Sequence, residues 1–358
     1  MSGNVFVSVI VGFALAALIG GSVWVIESGP RSISKQGVSL ALAADEEPVY
    51  IMVEEGDTAA SIGRRLENAG IIESGSSFQL LARLSGSERT LAAGEYEFIR
   101  QTSTLDALSR IRSGLTSARV VPVPEGMRLE EIAALLERRS VVSAGDFLVA
   151  VNTIATNGTG LDEDLLSSRP TASTLEGYLY PATYSFARNV TPNEVILSML
   201  EALSDRLTPE LREEARAQGL TLHQVLILAS IVEREVVVGE ERPLIASVYR
   251  NRLAIDMPLQ ADPTVQYAVA ARPGNIVEFG YWKKFLTFQD LQYDSTYNTY
   301  VKAGLPPGPI SNAGIDSIIA VIRPAPTNYL YFVARNDGTH AFSETFEEHQ
   351  RYVNQYQP

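Results

Sequence analysis

The chain has 358 residues, 46% of them hydrophobic, and a formal net charge of −13, which is enough apolar material for two or three folded domains. It has no long basic run, so it lacks the clustered Lys and Arg of a phosphate-binding surface and nucleic acid is not expected as a partner. There is no cysteine, and the only histidines are His223, His340 and His349. Disulfides, thiolate metal sites and a Cys nucleophile are therefore excluded, no HExxH spacing offers a metal site, and no cofactor is expected; the chemistry falls to carboxylates, hydroxyls or amides.

Residues 5–26, VFVSVIVGFALAALIGGSVWVI, carry no charge over about 22 positions, enough to cross the roughly 30 Å apolar core of a bilayer as one helix. A cleaved signal peptide is the rival reading, but the run exceeds the usual h-region of about 7–15 residues and no basic segment precedes it. Flanking charge is weak evidence for orientation: Arg31 and Lys35 follow the run, with Glu27 closer to it. Residues 27–47 mix Ser, Gly, Ala and acids without a period and read as a linker.

An internal repeat follows. VEEGDTAASIGRRLENAGII from Val53 resembles VPEGMRLEEIAALLERRSVV from Val123, with Gly56 matching Gly126, Ile62 matching Ile132 and Leu66 matching Leu136; Phe78 and Phe147 fall at nearly the same offset. Each copy reads as a strand, a turn at Glu-Gly, an amphipathic helix and a second helix. A strand over 94–99 and a helix over 105–113 complete the first unit, which looks like the LysM type of glycan-binding module; a plain spacer module is the alternative.

Residues 175–186, LEGYLYPATYSF, place Tyr178, Tyr180, Tyr184 and Phe186 at even spacing, the pattern of a strand with one aromatic face. Such rings suit sugar stacking and core packing equally. Helices are predicted over 192–204 and 209–218.

Residues 224–238 contain no glycine or proline and are dense in Leu, Ile and Val, so they read as a mostly buried helix. Two glutamates interrupt it. Three, four and seven residues before Glu235 stand Val232, Ile231 and Leu228, whereas Glu233 has Ser230, Ala229 and Leu226, so Glu235 lies on the more apolar stripe. Desolvation there would raise its pKa and keep it protonated near neutrality, as a general acid toward a glycosidic or ester oxygen requires. The alternative is a structural ion pair with Arg234, Arg242, Arg250 or Arg252.

Beyond it, a helix over 246–253 leads to an extended segment over 257–261 and to Asp262-Pro263-Thr264. Residues 272–288 are less regular and look like an insertion. The prolines of GLPPGPI, 304–310, demand a rigid non-helical loop. A helix over 314–322, a hairpin built from YLYFVAR and THAFS around an NDG turn, and a helix over 346–355 close the chain.

Taken together, LEGYLYPATY, LASIVEREV, ERPLIASVYRNRL, MPLQADPTVQY, YNTYVKAGLPPGPI and YLYFVARNDGTHAF resemble, in order, the blocks of the YceG-like family of endolytic murein transglycosylases. The resemblance implies an α+β architecture: a transmembrane helix at 1–26, a linker at 27–47, a LysM-like α/β module at 48–117 and a mixed α+β YceG-like catalytic domain at 118–358. It implies a lyase held in the plasma membrane by one span, facing the wall, that cuts the β-1,4 bond between N-acetylmuramic acid and N-acetylglucosamine in nascent glycan and leaves 1,6-anhydro ends. Glycan strands are then the substrate and peptidoglycan synthases the expected partners.

The family's catalytic glutamate corresponds to Glu235, and Arg234 stands where the family has lysine. Glu176, Tyr178, Gln260, Asp262, Thr264, Tyr297, Asn298 and His340 fall in matched blocks and are expected to hold sugar hydroxyls or acetamides, with structural hydrogen bonding as the alternative for each. A non-catalytic glycan-binding scaffold, and a hydrolase using a second carboxylate such as Glu176 or Asp262, are the competing functions.

Overall fold

A computed structural model describes residues 48–357 except 115, 117, 158–162 and 172. The apolar run at 5–26 lies outside the described residues, among which no helix is long and apolar enough to cross a membrane. Residues 47–358 form one compact unit of mixed α and β structure containing two separate hydrophobic cores.

The first core is wrapped by β1 (Val49–Val53), α1 (Ala59–Asn68), α2 (Gly75–Leu84), β2 (Gly94–Phe98) and α3 (Thr104–Ser113). β1 and β2 pair antiparallel with Val49 opposite Phe98. Thr58 starts α1 with a capping box through Ser61, satisfying two amide donors the helix itself cannot use. Ile62, Leu66, Phe78, Tyr96, Phe98 and Ile111 fill the interior.

The second repeat copy builds the same strand-helix-helix opening and return strand, with a third helix placed before that strand: β3 (Arg119–Pro122), α4 (Leu129–Arg138), α5 (Ala144–Asn157), α6 (Glu163–Ser167) and β4 (Thr183–Phe186), with β3 and β4 antiparallel. The correspondence reaches single hydrogen bonds. Glu67 accepts from the Gly75 amide and Glu137 from the Ala144 amide; the Ile71 amide reaches Leu66 O and the Val141 amide Leu136 O, each at 2.9 Å. The Glu-Gly turn takes a left-handed backbone in both copies, with φ +89° at Gly56 and +76° at Gly126, a conformation glycine adopts without a steric penalty.

The remaining chain holds α7 (Pro192–Arg206), α8 (Pro209–Ala217), α9 (Leu222–Glu235), α10 (Arg242–Ala254), α11 (Asp262–Ala270), α12 (Asn275–Phe279), α13 (Phe288–Leu291), α14 (Ile315–Ile322), the hairpin β5 (Tyr331–Ala334) and β6 (His340–Ser343), and α15 (Phe346–Tyr356). Its share of the second core comes chiefly from α7 to α10 and α14, and α15 packs on the hairpin. α9 is the axis. Every residue from Leu222 to Val232 except Gln224 is buried, and α8, α10, α11 and α14 pack around it.

Three expected elements differ, one being the helix predicted over 246–253, which starts at Arg242 with Pro243 in its first turn. The helix predicted over 224–238 spans Leu222–Glu235 instead: the capping box of Thr221 and Gln224 starts it earlier, and Val236 is already extended at φ −77°, ψ 128°, as a run of three β-branched valines favours. The aromatic strand predicted over 175–186 is a strand only at Thr183–Phe186. Upstream, Gly177 at φ +83° and Pro181 turn the chain, and Tyr178 points into the core with 0% exposure.

Candidate active site

α9 ends at Glu235, so its carboxyl sits where the unpaired carbonyls of the helix already concentrate negative charge. Burial pushes this carboxyl up to about 7, with Asp262 adding to the rise, while the hydrogen bond from Tyr249, Arg252 and Arg234 pull the other way. The Tyr249 hydroxyl, on the buried face of α10, donates to Glu235 Oε1 at 2.7 Å.

Glu233, two residues earlier, has a different environment. It accepts from the Gly314 amide at 3.1 Å and the Ser317 hydroxyl at 2.7 Å at the start of α14, and Arg242 stands 3.7 Å away. The ion-pair reading thus fits Glu233, which caps a helix. Arg250 instead donates to Gln218, and the Arg234 guanidinium lies 3.9 Å from the Trp282 ring centroid.

Glu235 opens into a cleft of about 330 Å³ lined also by Arg252, Gln260, Asp262, Tyr300, Phe332, His340 and His349. Arg252 builds its back wall: buried at the end of α10, it donates to Leu259 O at 2.7 Å and Leu330 O at 2.6 Å, tying the extended segment before α11 to the segment leading into β5. Asp262 opens α11 and accepts from the Tyr300 hydroxyl at 2.7 Å. Gln260 holds a left-handed backbone, φ +48°, an uncommon conformation for a non-glycine residue that concentrates at functional positions. Its amide donates to Thr299 O at 3.2 Å.

His340 comes from β6, and the Glu241 carboxylate fixes it by accepting from the His340 amide at 2.9 Å and pairing with Nδ1 at 2.6 Å. Carboxylate capture of Nδ1 leaves Nε2 as the nitrogen available to a ligand.

Four expected residues therefore meet in one cleft: Glu235, Gln260, Asp262 and His340. The other five do not line it. Glu176 is buried, accepting from the Leu129 amide and from Asn312 Nδ2, and burial lifts its carboxyl to about 8. Tyr178 bonds His223 Nδ1 at 2.9 Å inside the core. Thr264 shares a buried hydroxyl pair with Thr299 at 2.8 Å. Asn298 donates to Leu291 O and Tyr293 O, and Tyr297 packs against Tyr267 with ring centroids 4.7 Å apart. These five lie outside this cleft, with their polar groups engaged, or their rings packed, within the fold.

Sequence reasoning missed Tyr249, Glu241, Tyr300 and His349. The first two lie in the block ERPLIASVYRNRL and Tyr300 in YNTYVKAGLPPGPI, so a block-by-block search for polar groups would have found them. Among the described residues no group of three or more His, Asp or Glu is placed to hold a metal ion.

A raised carboxyl at a helix end, in a cleft with a second carboxylate, an oriented imidazole and hydroxyls, defines an acid–base site on an α+β scaffold suited to a polyhydroxylated substrate. The chain belongs to the YceG-like family, whose model matches residues 51–355. It is 32% identical over 316 residues to the endolytic murein transglycosylase of Bacillus subtilis, covering 86% of this chain and 84% of that protein. It is 33% identical to the protein of the same name from Streptococcus pneumoniae serotype 2, covering 85% of this chain but 58% of that one. The crystal structure of a YceG-like protein from Listeria monocytogenes aligns with a TM-score of 0.57 at 33% identity, covering 86% of this chain and all of that one.

Proposed function

We propose that the chain is an endolytic lytic transglycosylase of peptidoglycan, with Glu235 as its acid and then its base. The observation that carries this is a single carboxyl raised to about 7 in the cleft, with a tyrosine hydroxyl as its side-chain hydrogen-bond partner. Protonated Glu235 donates to the glycosidic oxygen leaving from N-acetylmuramic acid. As carboxylate, steadied by the Tyr249 hydroxyl, it then takes the proton of the muramyl 6-hydroxyl, whose oxygen attacks the anomeric carbon and closes the 1,6-anhydro ring. One carboxyl thus serves both half-reactions, unlike the paired-carboxylate scheme of most glycosidases. Asp262, Gln260 and His340 line the same cleft and are assigned to hold the sugars.

The small α/β module at residues 48–117 serves as a LysM-like glycan holder in this reading. The uncharged run at 5–26 anchors the chain in the plasma membrane with the cleft on the wall side, near the peptidoglycan synthases that make the strand.

One observation favours a second reading. Asp262, a second carboxylate positioned by Tyr300, lines the cleft with Glu235 and could direct water instead of the 6-hydroxyl, making the enzyme a hydrolase. Incubation with purified peptidoglycan and mass spectrometry of the released ends separates the two. Anhydro-muramyl ends that vanish in Glu235→Gln are the expected result; reducing ends would establish the hydrolase, and no cleavage by folded protein would leave a glycan-binding scaffold.

A further inference from the structure

The irregular segment 272–288 takes no part in the cleft, yet it is firmly built. The Trp282 indole donates to Glu131 Oε2 at 2.9 Å beneath the Arg234 guanidinium. Arg128 donates to Tyr281 O and Gln266 to Lys283 O. Lys283 Nζ reaches the buried Asp290 at 2.6 Å. Polar anchors on one side thus hold the segment in a fixed shape.

Its apolar side chains nevertheless stand in water: Val277 is 93% exposed, Phe285 78%, Phe288 77%, and Ile276 and Phe279 40% each. Single exposed apolar residues need no explanation, but five large ones on one short anchored segment do. Lys283 and Lys284 lie by two of these rings, over Phe279 at 4.7 Å and Phe285 at 5.5 Å. Aromatic and aliphatic side chains flanked by a lysine such as Lys284, while Lys283 is held by Asp290, suit a membrane–water interface.

From this arrangement we infer that residues 276–288 dip into the outer leaflet of the bilayer as an interfacial anchor. Charge agrees in sign. The chain as a whole carries −13 and would be repelled by an anionic lipid surface, whereas Arg272, Lys283 and Lys284 here outnumber the acids Glu278 and Asp290, with Asp290 pairing Arg272 and Lys283 and leaving Lys284 as the cation offered to lipid. A glycan occupant fits less well, because Val277 and Ile276 offer sugars neither a ring face nor a hydrogen bond. Reach agrees too: in the reading proposed above, the span at 5–26 is separated from Pro48 by residues 27–47, roughly 70 Å at full extension, so the bilayer stays within range of the folded unit. The inference rests on that reading for its membrane and not for its catalysis.

The native chain contains no cysteine, so single cysteines can be labelled cleanly. Phe285→Cys, Phe288→Cys and, as control, Leu84→Cys, a residue 75% exposed on α2, are each made in the full chain and labelled with a nitrobenzoxadiazole dye. The labelled chains are reconstituted into vesicles of phosphatidylethanolamine and phosphatidylglycerol. The expected result is blue-shifted emission at 285 and 288, quenched several-fold more strongly than at 84 by lipids bearing a shallow nitroxide. Water-like emission at 285 and 288 would overturn the inference and point to a protein or glycan occupant; equal quenching at all three positions would overturn it as well. Cleavage of soluble peptidoglycan by the same samples reports on catalysis separately, so a failure of either reading is recognised without the other.

Discussion

Glu235→Gln gives the most demanding test of the site, because the substitution should abolish cleavage while making the protein more stable. Holding the carboxyl at about 7 in place of the ordinary 4.5 disfavours its charged form by at most about 3.4 kcal/mol, at ~1.36 kcal/mol per tenfold change. A raised carboxyl costs no stability below about pH 4.5, costs progressively more as pH rises toward about 7, and holds at that cost above. Glutamine is neutral throughout and escapes it. Partial exposure of Glu235 and weakening of the bond from Tyr249 reduce the gain to about 1–2 kcal/mol at pH 8, or about 2–4 °C in Tm for a domain of this size. At pH 5 the native carboxyl is largely protonated and the gain should nearly disappear. Thermal denaturation of both proteins at the two pH values, alongside peptidoglycan cleavage, measures it. An equal shift at both pH values, or retained cleavage, would refute the assignment of Glu235 as a strained acid.

Other substitutions separate chemistry from architecture. Glu233→Gln should cost about 1–2 kcal/mol, through a weaker cap on α14 and the lost attraction to Arg242, while specific activity of the folded fraction stays near the native value in the same cleavage assay. Tyr249→Phe removes the hydrogen bond that favours the Glu235 carboxylate, so the alkaline limb of kcat/KM, where activity falls as the acid loses its proton, should move above pH 7; a limb that stays put or moves down would place the acid elsewhere. Glu176→Ala should cost about 1–3 kcal/mol in urea unfolding, because the Leu129 amide and Asn312 lose a buried acceptor. Glu176→Gln, which keeps an acceptor and mimics a carboxyl already neutral below about pH 8, should cost clearly less.

Much of this architecture was legible along the chain because its signals are local. Matching Ile, Leu and Gly positions foretold both repeat copies, and the turn glycines Gly56 and Gly126 fell where a left-handed backbone is needed. The stripe behind Glu235 distinguished it from Glu233 within a single helix, since neighbours at three, four and seven residues are set by the helical period alone. The turn at residues 175–182 was misread because alternating aromatics mimic a strand while the core claims Tyr178 and Tyr180. Such claims depend on what packs above a residue, and spacing carries no record of that.

The partners that make the site fall in the same class. Tyr249 reaches Glu235 across 14 positions, Tyr300 reaches Asp262 across 38, and Glu241 reaches His340 across 99. The order of residues fixed the helices, the turns and the apolar stripe that desolvates one carboxyl, because each of these is settled between near neighbours. Folding decided which polar groups face the cleft and which are consumed inside, because burial and long-range hydrogen bonds exist only once separate elements pack together.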